Sequence, residues 1–171
     1  MKAKTDTAQA DTAQVSFYHF TLQPFALGLS RLIKKIYSTG QNLLVVFRTE
    51  AEMQELDRTL WTFASKEFIP HGTTNEADAE LQPVLLTTDP NGNKNAAKIL
   101  LSTCTEPIDP LLLPSSNFPA NTKNHQIYAF YGIAEEIKHM TDLYRSYNAR
   151  DDISATFWKQ DQNGKWSKPA A

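Results

Sequence analysis

Leu43-Leu44-Val45-Val46-Phe47-Arg48-Thr49-Glu50-Ala51-Glu52 reads as a buried strand running straight into a helix. The apolar run 43–47 does not alternate with polar residues, as expected of a strand covered on both faces in a parallel sheet. Thr49 and Glu52 have the spacing of a capping box, in which hydroxyl and carboxylate satisfy the free amides of a first helical turn. Met53, Leu56, Leu60 and Phe63 then recur at helical spacing and form a buried stripe. Trp61 falls at the edge of that stripe, roughly 100° round the helix from Leu60.

The same alternation extends in both directions. Val15–Leu22 is rich in β-branched and aromatic residues and predicts a first strand. Pro24 opens a helix whose stripe is Phe25, Leu29, Leu32, Ile33 and Ile36, and Gly40 stops it. Downstream, 72–82 reads as a polar loop, Pro83–Thr87 as a third strand and Asp89–Asn93 as a turn. Ile99–Cys104 is a fourth strand, its direction relative to the third left open by so short a connection. Ile127–Tyr131 is a fifth strand, followed by a helix with the stripe Ile133, Ile137, Met140, Tyr144 and Tyr147. Asp161-Gln162-Asn163-Gly164, between Ala155–Lys159 and Lys165-Trp166, predicts a small C-terminal hairpin. Together these elements predict an α/β fold: a three-layer α/β/α arrangement around a mostly parallel sheet of about five strands with right-handed crossovers.

A chain of 171 residues fits one domain, here 15–168. Residues 1–14 repeat Asp-Thr-Ala-Gln and are expected to form a disordered tail. Residues 105–126 contain Pro107, Pro110, Pro114 and Pro119 and are expected to be an insertion or functional loop, pinned by Leu111, Leu112 and Leu113. The net charge of −2 gives no global argument for wrapping nucleic acid, so charged contacts must be local. The single cysteine, Cys104, excludes an intramolecular disulfide and points to a reducing compartment, the cytoplasm. Neither a membrane-spanning run nor a secretory signal is expected.

Reaction chemistry is hard to find. The turn after the first strand is Thr21-Leu22-Gln23-Pro24, without the glycines that let a backbone approach a pyrophosphate. Neither a P-loop nor a Gly-x-Ser-x-Gly elbow occurs. No phosphate-binding loop is therefore expected. His19, His71, His125 and His139 are scattered; Glu135 and His139 have ligand spacing but are better read as a surface pair. No metal and no cofactor are expected. Cys104 reads as a core thiol, and His71 as a side chain that fixes its loop by bonding local backbone.

Two features invite a binding role. Trp61 and Phe68 flank the irregular stretch Leu60–His71 and read equally as core or as exposed apolar anchors. Lys138, Arg145, Arg150, Lys159, Lys165 and Lys168 are interleaved with acids, the pattern of a solvated face. The alternative is a basic pocket beside Tyr144, suited to an acidic peptide or a terminal carboxylate.

Several stretches, in order, resemble the chi subunits of bacterial DNA polymerase III: Phe17-Tyr18-His19, Leu56-Asp57, Leu60-Trp61, Phe68-Ile69-Pro70-His71-Gly72, Gln82–Leu86, Tyr144-Arg145-Ser146-Tyr147 and Thr156–Trp166. The resemblance covers most of 15–167. It implies a non-catalytic accessory subunit with a Rossmann-like, nucleotide-binding-like α/β/α fold that has no nucleotide site. It also implies two partners: the psi subunit, which connects to the clamp loader, and the acidic C-terminal tail of single-stranded DNA-binding protein. In some members a repair helicase uses the psi surface. Carried over, Trp61, Phe68, Pro70 and His71 belong to the psi or helicase surface, and Lys138, Tyr144, Arg145, Tyr147 and Arg150 to the tail site. Family members often carry arginine one turn before Tyr144 and directly after Tyr147; this chain has Thr141 and Asn148.

The resemblance implies DNA contact only through partners, with no membrane and no small-molecule substrate. A competing reading is an α/β enzyme acting on a nucleotide or phosphate ester, with a pocket at the strand C-termini lined by His19 or His71. Direct binding of single-stranded DNA would need stacked aromatics along a positive groove, and the net charge and interleaved acids weigh against it.

Overall fold

The computed structural model describes residues 12–63, 68–106 and 125–169. In chain order these form β1 (Ala13–His19), α1 (Phe25–Tyr37), β2 (Leu43–Val46), α2 (Glu50–Thr62), β3 (His71–Thr73), a 3-10 turn (Ala79–Leu81), β4 (Val84–Thr87), β5 (Ile99–Ser102), β6 (His125–Phe130), α3 (Ala134–Asn148), β7 (Ile153–Gln160) and β8 (Trp166–Ser167). Residues 1–11 of the expected tail, 107–124 of the proline-rich segment including Leu111–Leu113, and 64–67 lie outside the described residues.

One sheet carries all eight strands, in the order β3-β4-β2-β5-β6-β1-β7-β8. Every pairing is parallel except β7 with the edge strand β8. The apolar run of β2 is buried on both faces, as a central parallel strand requires. Leu43 and Val45 face the cluster made by α1 and α2, whereas Leu44 and Val46 face a cluster under the 3-10 turn with Leu85, Ala97 and Leu100. On the far half of the sheet, Val15, Phe17, Tyr128 and Phe130 pack beneath α3 with Met140 and Tyr147. Side chains of period two thus separate α1 and α2 on one face from α3 on the other.

The strand count differs from the expected five for two reasons. The terminal hairpin is part of the main sheet, because β7 pairs with β1 along Ala13–His19. The loop expected from Gly72 onward begins with β3, which pairs His71 with Val84 and Thr73 with Leu86. The fourth strand, β5, is parallel to its neighbours β2 and β6. β1 begins at Ala13, two residues before the expected strand, and its first amide donates to Asp152 O at 3.0 Å. Thr49 caps α2 by accepting from the Glu52 amide at 3.3 Å. The Glu52 carboxylate takes the Arg48 guanidinium at 3.0 Å.

Candidate functional site

The stretch after α2 builds an aromatic patch at the β3 edge of the sheet. On α2, Asp57 and Trp61 are one turn apart and share a face. Pro70 biases Ile69 toward extended backbone, and Ile69 is buried, which leaves Phe68 outside. Trp61 is 61% exposed and Phe68 56% exposed, with ring centroids 5.2 Å apart. The two rings form one apolar surface, so neither is core. His71 lies beneath both, 5.2 Å from Trp61 and 6.0 Å from Phe68. Its Nδ1 donates to Ile69 O at 2.7 Å, the local backbone bond expected of it. Its Nε2 is 3.3 Å from Asp57 Oδ1, which ties β3 to α2. A Cβ at Gly72 would come within 2.9 Å of Gln82 Cγ and Glu76 Oε2, so these two side chains would have to shift.

The second feature is a cleft of about 540 Å³ between α3 and β7, near the opposite end of the sheet. Tyr144 and Phe157 meet edge to face at 5.3 Å and, with Ile137 and Ala155, supply its apolar lining. Arg145, Lys159 and Lys168 supply its charge, and no carboxylate of the described residues lines it. His19 sits within it, its ring stacked on Phe130 at 5.2 Å. Burial, and secondarily Lys159, pushes the His19 imidazole below its ordinary range. Arg145 Nη1 also donates to Asp142 Oδ1 at 3.1 Å. The hydrogen bond from Lys138, aided by Arg145, holds the Asp142 carboxyl below the usual carboxylate range.

The expected tail-site residues separate. Tyr144 and Arg145 line the cleft. Tyr147 does not: it is 5% exposed and packs on Phe17 at 6.1 Å, supporting the wall from behind. Lys138 pairs with Asp142 at 2.9 Å, and Arg150 with Asp152 at 3.0 Å; neither lines the cleft. Thr141 lines it, and its hydroxyl donates to Ile137 O at 2.7 Å, back into the helix. Lys159 and Lys168 are the cations that sequence reasoning left out of the site. Lys159 follows Ala155 and Phe157 at period two on β7, which was the available signal. Lys168 arrives only because the hairpin folds back. His139 accepts from or donates to nothing at Glu135; its Nε2 bonds Thr105 O at 3.0 Å.

The crevice at the C-terminal ends of β2, β6 and β1, where α/β sheets place ligands, is narrow: it leaves about 70 Å³ beside Phe25, Phe47 and Tyr131 and about 10 Å³ beside Arg48 and Phe130. His19 stacks on Phe130 there, and Phe25 meets Tyr131 at 4.4 Å. Arg48 bridges Glu52 at 3.0 Å and Glu136 at 3.1 Å across its mouth. Among the described residues, no helix is long and apolar enough to cross a membrane.

Residues 13–153 match the family model described as "DNA polymerase III chi subunit, HolC". The chain is 32% identical over 94 residues to a "Probable DNA polymerase III subunit chi" of Rickettsia prowazekii, covering 54% of this chain and 56% of that protein. It is 38% identical over 63 residues to a "DNA polymerase III subunit chi" of Pseudomonas aeruginosa, covering 37% of this chain and 44% of that protein. The matched regions thus span about half the length of these curated relatives. Among solved structures, the chain is similar to the C-terminal domain of the DEAD-box protein Dbp5. The TM-score is 0.53 at 10% identity, over 86% of this chain and 91% of that one, a likeness of fold alone.

Proposed function

Because the chain belongs to the DNA polymerase III chi-subunit family, we propose that it is a non-catalytic accessory subunit of the replicative polymerase that joins two partners. The Trp61–Phe68 patch, with Pro70 and His71 beneath it, takes the psi subunit and through it the clamp loader, or a helicase at the same surface. The cleft between α3 and β7 takes the C-terminal tail of single-stranded DNA-binding protein. There the apolar lining accepts the terminal side chain, and Arg145 with Lys159 and Lys168 accepts the carboxylate and acidic residues.

The observation that carries this reading is the separation of the two surfaces. β3 and β7 are six strand steps apart in the sheet, roughly 29 Å at about 4.8 Å per step. Two partners can therefore be held at once without touching. The narrow crevice at the strand ends, with about 70 Å³ and 10 Å³ of open space, supports a binding module over the α/β enzyme alternative. The test is a three-component gel filtration with psi and a labelled tail peptide. The account expects one peak containing all three, with Trp61→Ala releasing psi and leaving the peptide bound. Mutual exclusion of the two partners would overturn it.

A further inference from the structure

On the other face of β7 lies a third surface that the two-partner reading does not use. Tyr18 and Trp158 are register partners on β1 and β7. Their rings are nearly parallel, at 15°, with centroids 6.2 Å apart. Trp166, from β8, stands perpendicular to Tyr18 at 5.0 Å and 87° and makes a wall. These rings line a cleft of about 260 Å³, closed on its far side by α1. Arg31 and Lys35, one turn apart on α1, overhang it. Both are exposed, and neither has an ion-pair or side-chain hydrogen-bond partner among the described residues. No carboxylate of the described residues lines the cleft. Lys168 Nζ already sits 5.0 Å from the centroid of the Trp158 ring. A chain with a net charge of −2 thus sets two cations over two indoles and a phenol, while Lys168, which lines the α3–β7 cleft, reaches only the Trp158 ring.

We propose that this cleft, formed by Tyr18, Trp158 and Trp166 beneath Arg31 and Lys35, binds single-stranded nucleic acid by stacking a base on the rings and pairing its phosphates with the cations. Flat rings are sequence-tolerant platforms because every base has a π-face. The Cβ atoms of an i,i+4 pair are about 5–6 Å apart, which lets both side chains reach neighbouring phosphates of a flexible strand. An acidic peptide would use the cations but leave the indole faces without flat partners. The site is too small for a drug-sized ligand and is shaped for one base at a time. The inference goes beyond the proposed function, in which DNA is reached only through a partner, and it stands whether or not that reading holds.

The test is fluorescence anisotropy of a labelled oligothymidylate of about 15 nucleotides, titrated with the full chain at low salt. Inorganic polyphosphate and an acidic peptide serve as competitors. The expected result is saturable binding with quenching of tryptophan emission. Arg31→Ala with Lys35→Ala should weaken it about tenfold and reduce the salt slope by about 1.4, or ~0.7 per lost phosphate contact. Both positions are exposed on α1 and alanine favours helix, so the double variant should keep its circular dichroism. Trp158→Phe should reduce both affinity and quenching. Polyphosphate should compete at least about tenfold less well than unlabelled oligothymidylate, as loss of stacking demands. The proposal is overturned by no binding, by binding indifferent to the α1 variants, by equal competition from polyphosphate, or by displacement with the acidic peptide at lower concentration than the oligonucleotide.

Discussion

His71 Nε2 faces Asp57 Oδ1 across 3.3 Å, with the imidazole fully buried and the carboxylate one-third exposed. The contact joins the three-residue edge strand β3 to α2 at the base of the Trp61–Phe68 patch. Among the described residues Nε2 has no partner of good hydrogen-bond geometry, and the Asp57 carboxylate is its nearest polar neighbour. Because Ile69 O can only accept, Nδ1 carries a hydrogen, and Asp57 is what remains for Nε2. Asp57→Ala strands a buried nitrogen and should cost about 1–3 kcal/mol. Asp57→Asn, whose side-chain amide can either accept from or donate to Nε2, should cost less. Urea denaturation of the two variants checks the order; equal costs would mean that the pair does not hold the strand.

Trp61→Ala and Phe68→Ala should separate stability from binding. Both side chains are more than half exposed, so each change should alter stability by within about 1 kcal/mol. Exposed aromatic anchors dominate interfaces, and each truncation should weaken psi binding by about 2 kcal/mol or more. Thermal melts and a psi titration report the two quantities independently.

Asp142 restrains Arg145. It accepts from Arg145 at 3.1 Å and from Lys138 at 2.9 Å, on an exposed helix face. Asp142→Asn should free the guanidinium and tighten binding of an acidic tail peptide, with a steeper dependence on salt. The depressed carboxyl contributes stability above its unfolded range, lost only as pH falls through its lower folded value. Removing it should therefore lower stability slightly at neutral pH, the group being exposed, and flatten the acid limb of the unfolding curve.

Stability should also fall between about pH 7 and about pH 5, for a different reason. Burial, with a smaller effect from Lys159, lowers the pKa of His19, and burial lowers that of His125. The unfolded chain takes up these protons at the ordinary histidine value of about 6.5, before the native state does. Stability from both groups is thus fully present above that value and declines as pH drops toward their folded values. Urea midpoints across this range should shift downward, and His125→Gln should reduce the shift.

The strand–helix repeat was legible because residues 43–47 and the stripe Met53, Leu56 and Leu60 are long patterns of clear period. β3 was not, because His71-Gly72-Thr73 is too short for a pattern and exists through pairing with β4. β7 was read as a local hairpin, since nothing local in 155–159 reveals parallel pairing with residues more than a hundred positions away. The same distance explains the cleft. Tyr144 and Arg145 share a helix and were found together, whereas Lys159 and Lys168 join them only through the sheet. Tyr147 has the right helical spacing but turns into the core, where Phe17 meets it. Trp61 and Phe68 could not be divided between core and surface until the burial of Ile69 showed which way the chain turns.

The most direct test of the two-partner account is titration calorimetry with a short peptide carrying the acidic C-terminal end of the cognate single-stranded DNA-binding protein. A control peptide lacks its terminal residues. The account predicts micromolar binding, about −8 kcal/mol, absent with the control. It further predicts about a tenfold loss in Arg145→Ala, as expected for one charged hydrogen bond, and a comparable loss in Lys159→Ala. Absence of binding at about millimolar peptide, or binding unchanged by both substitutions, would contradict the assignment of the α3–β7 cleft as the tail site.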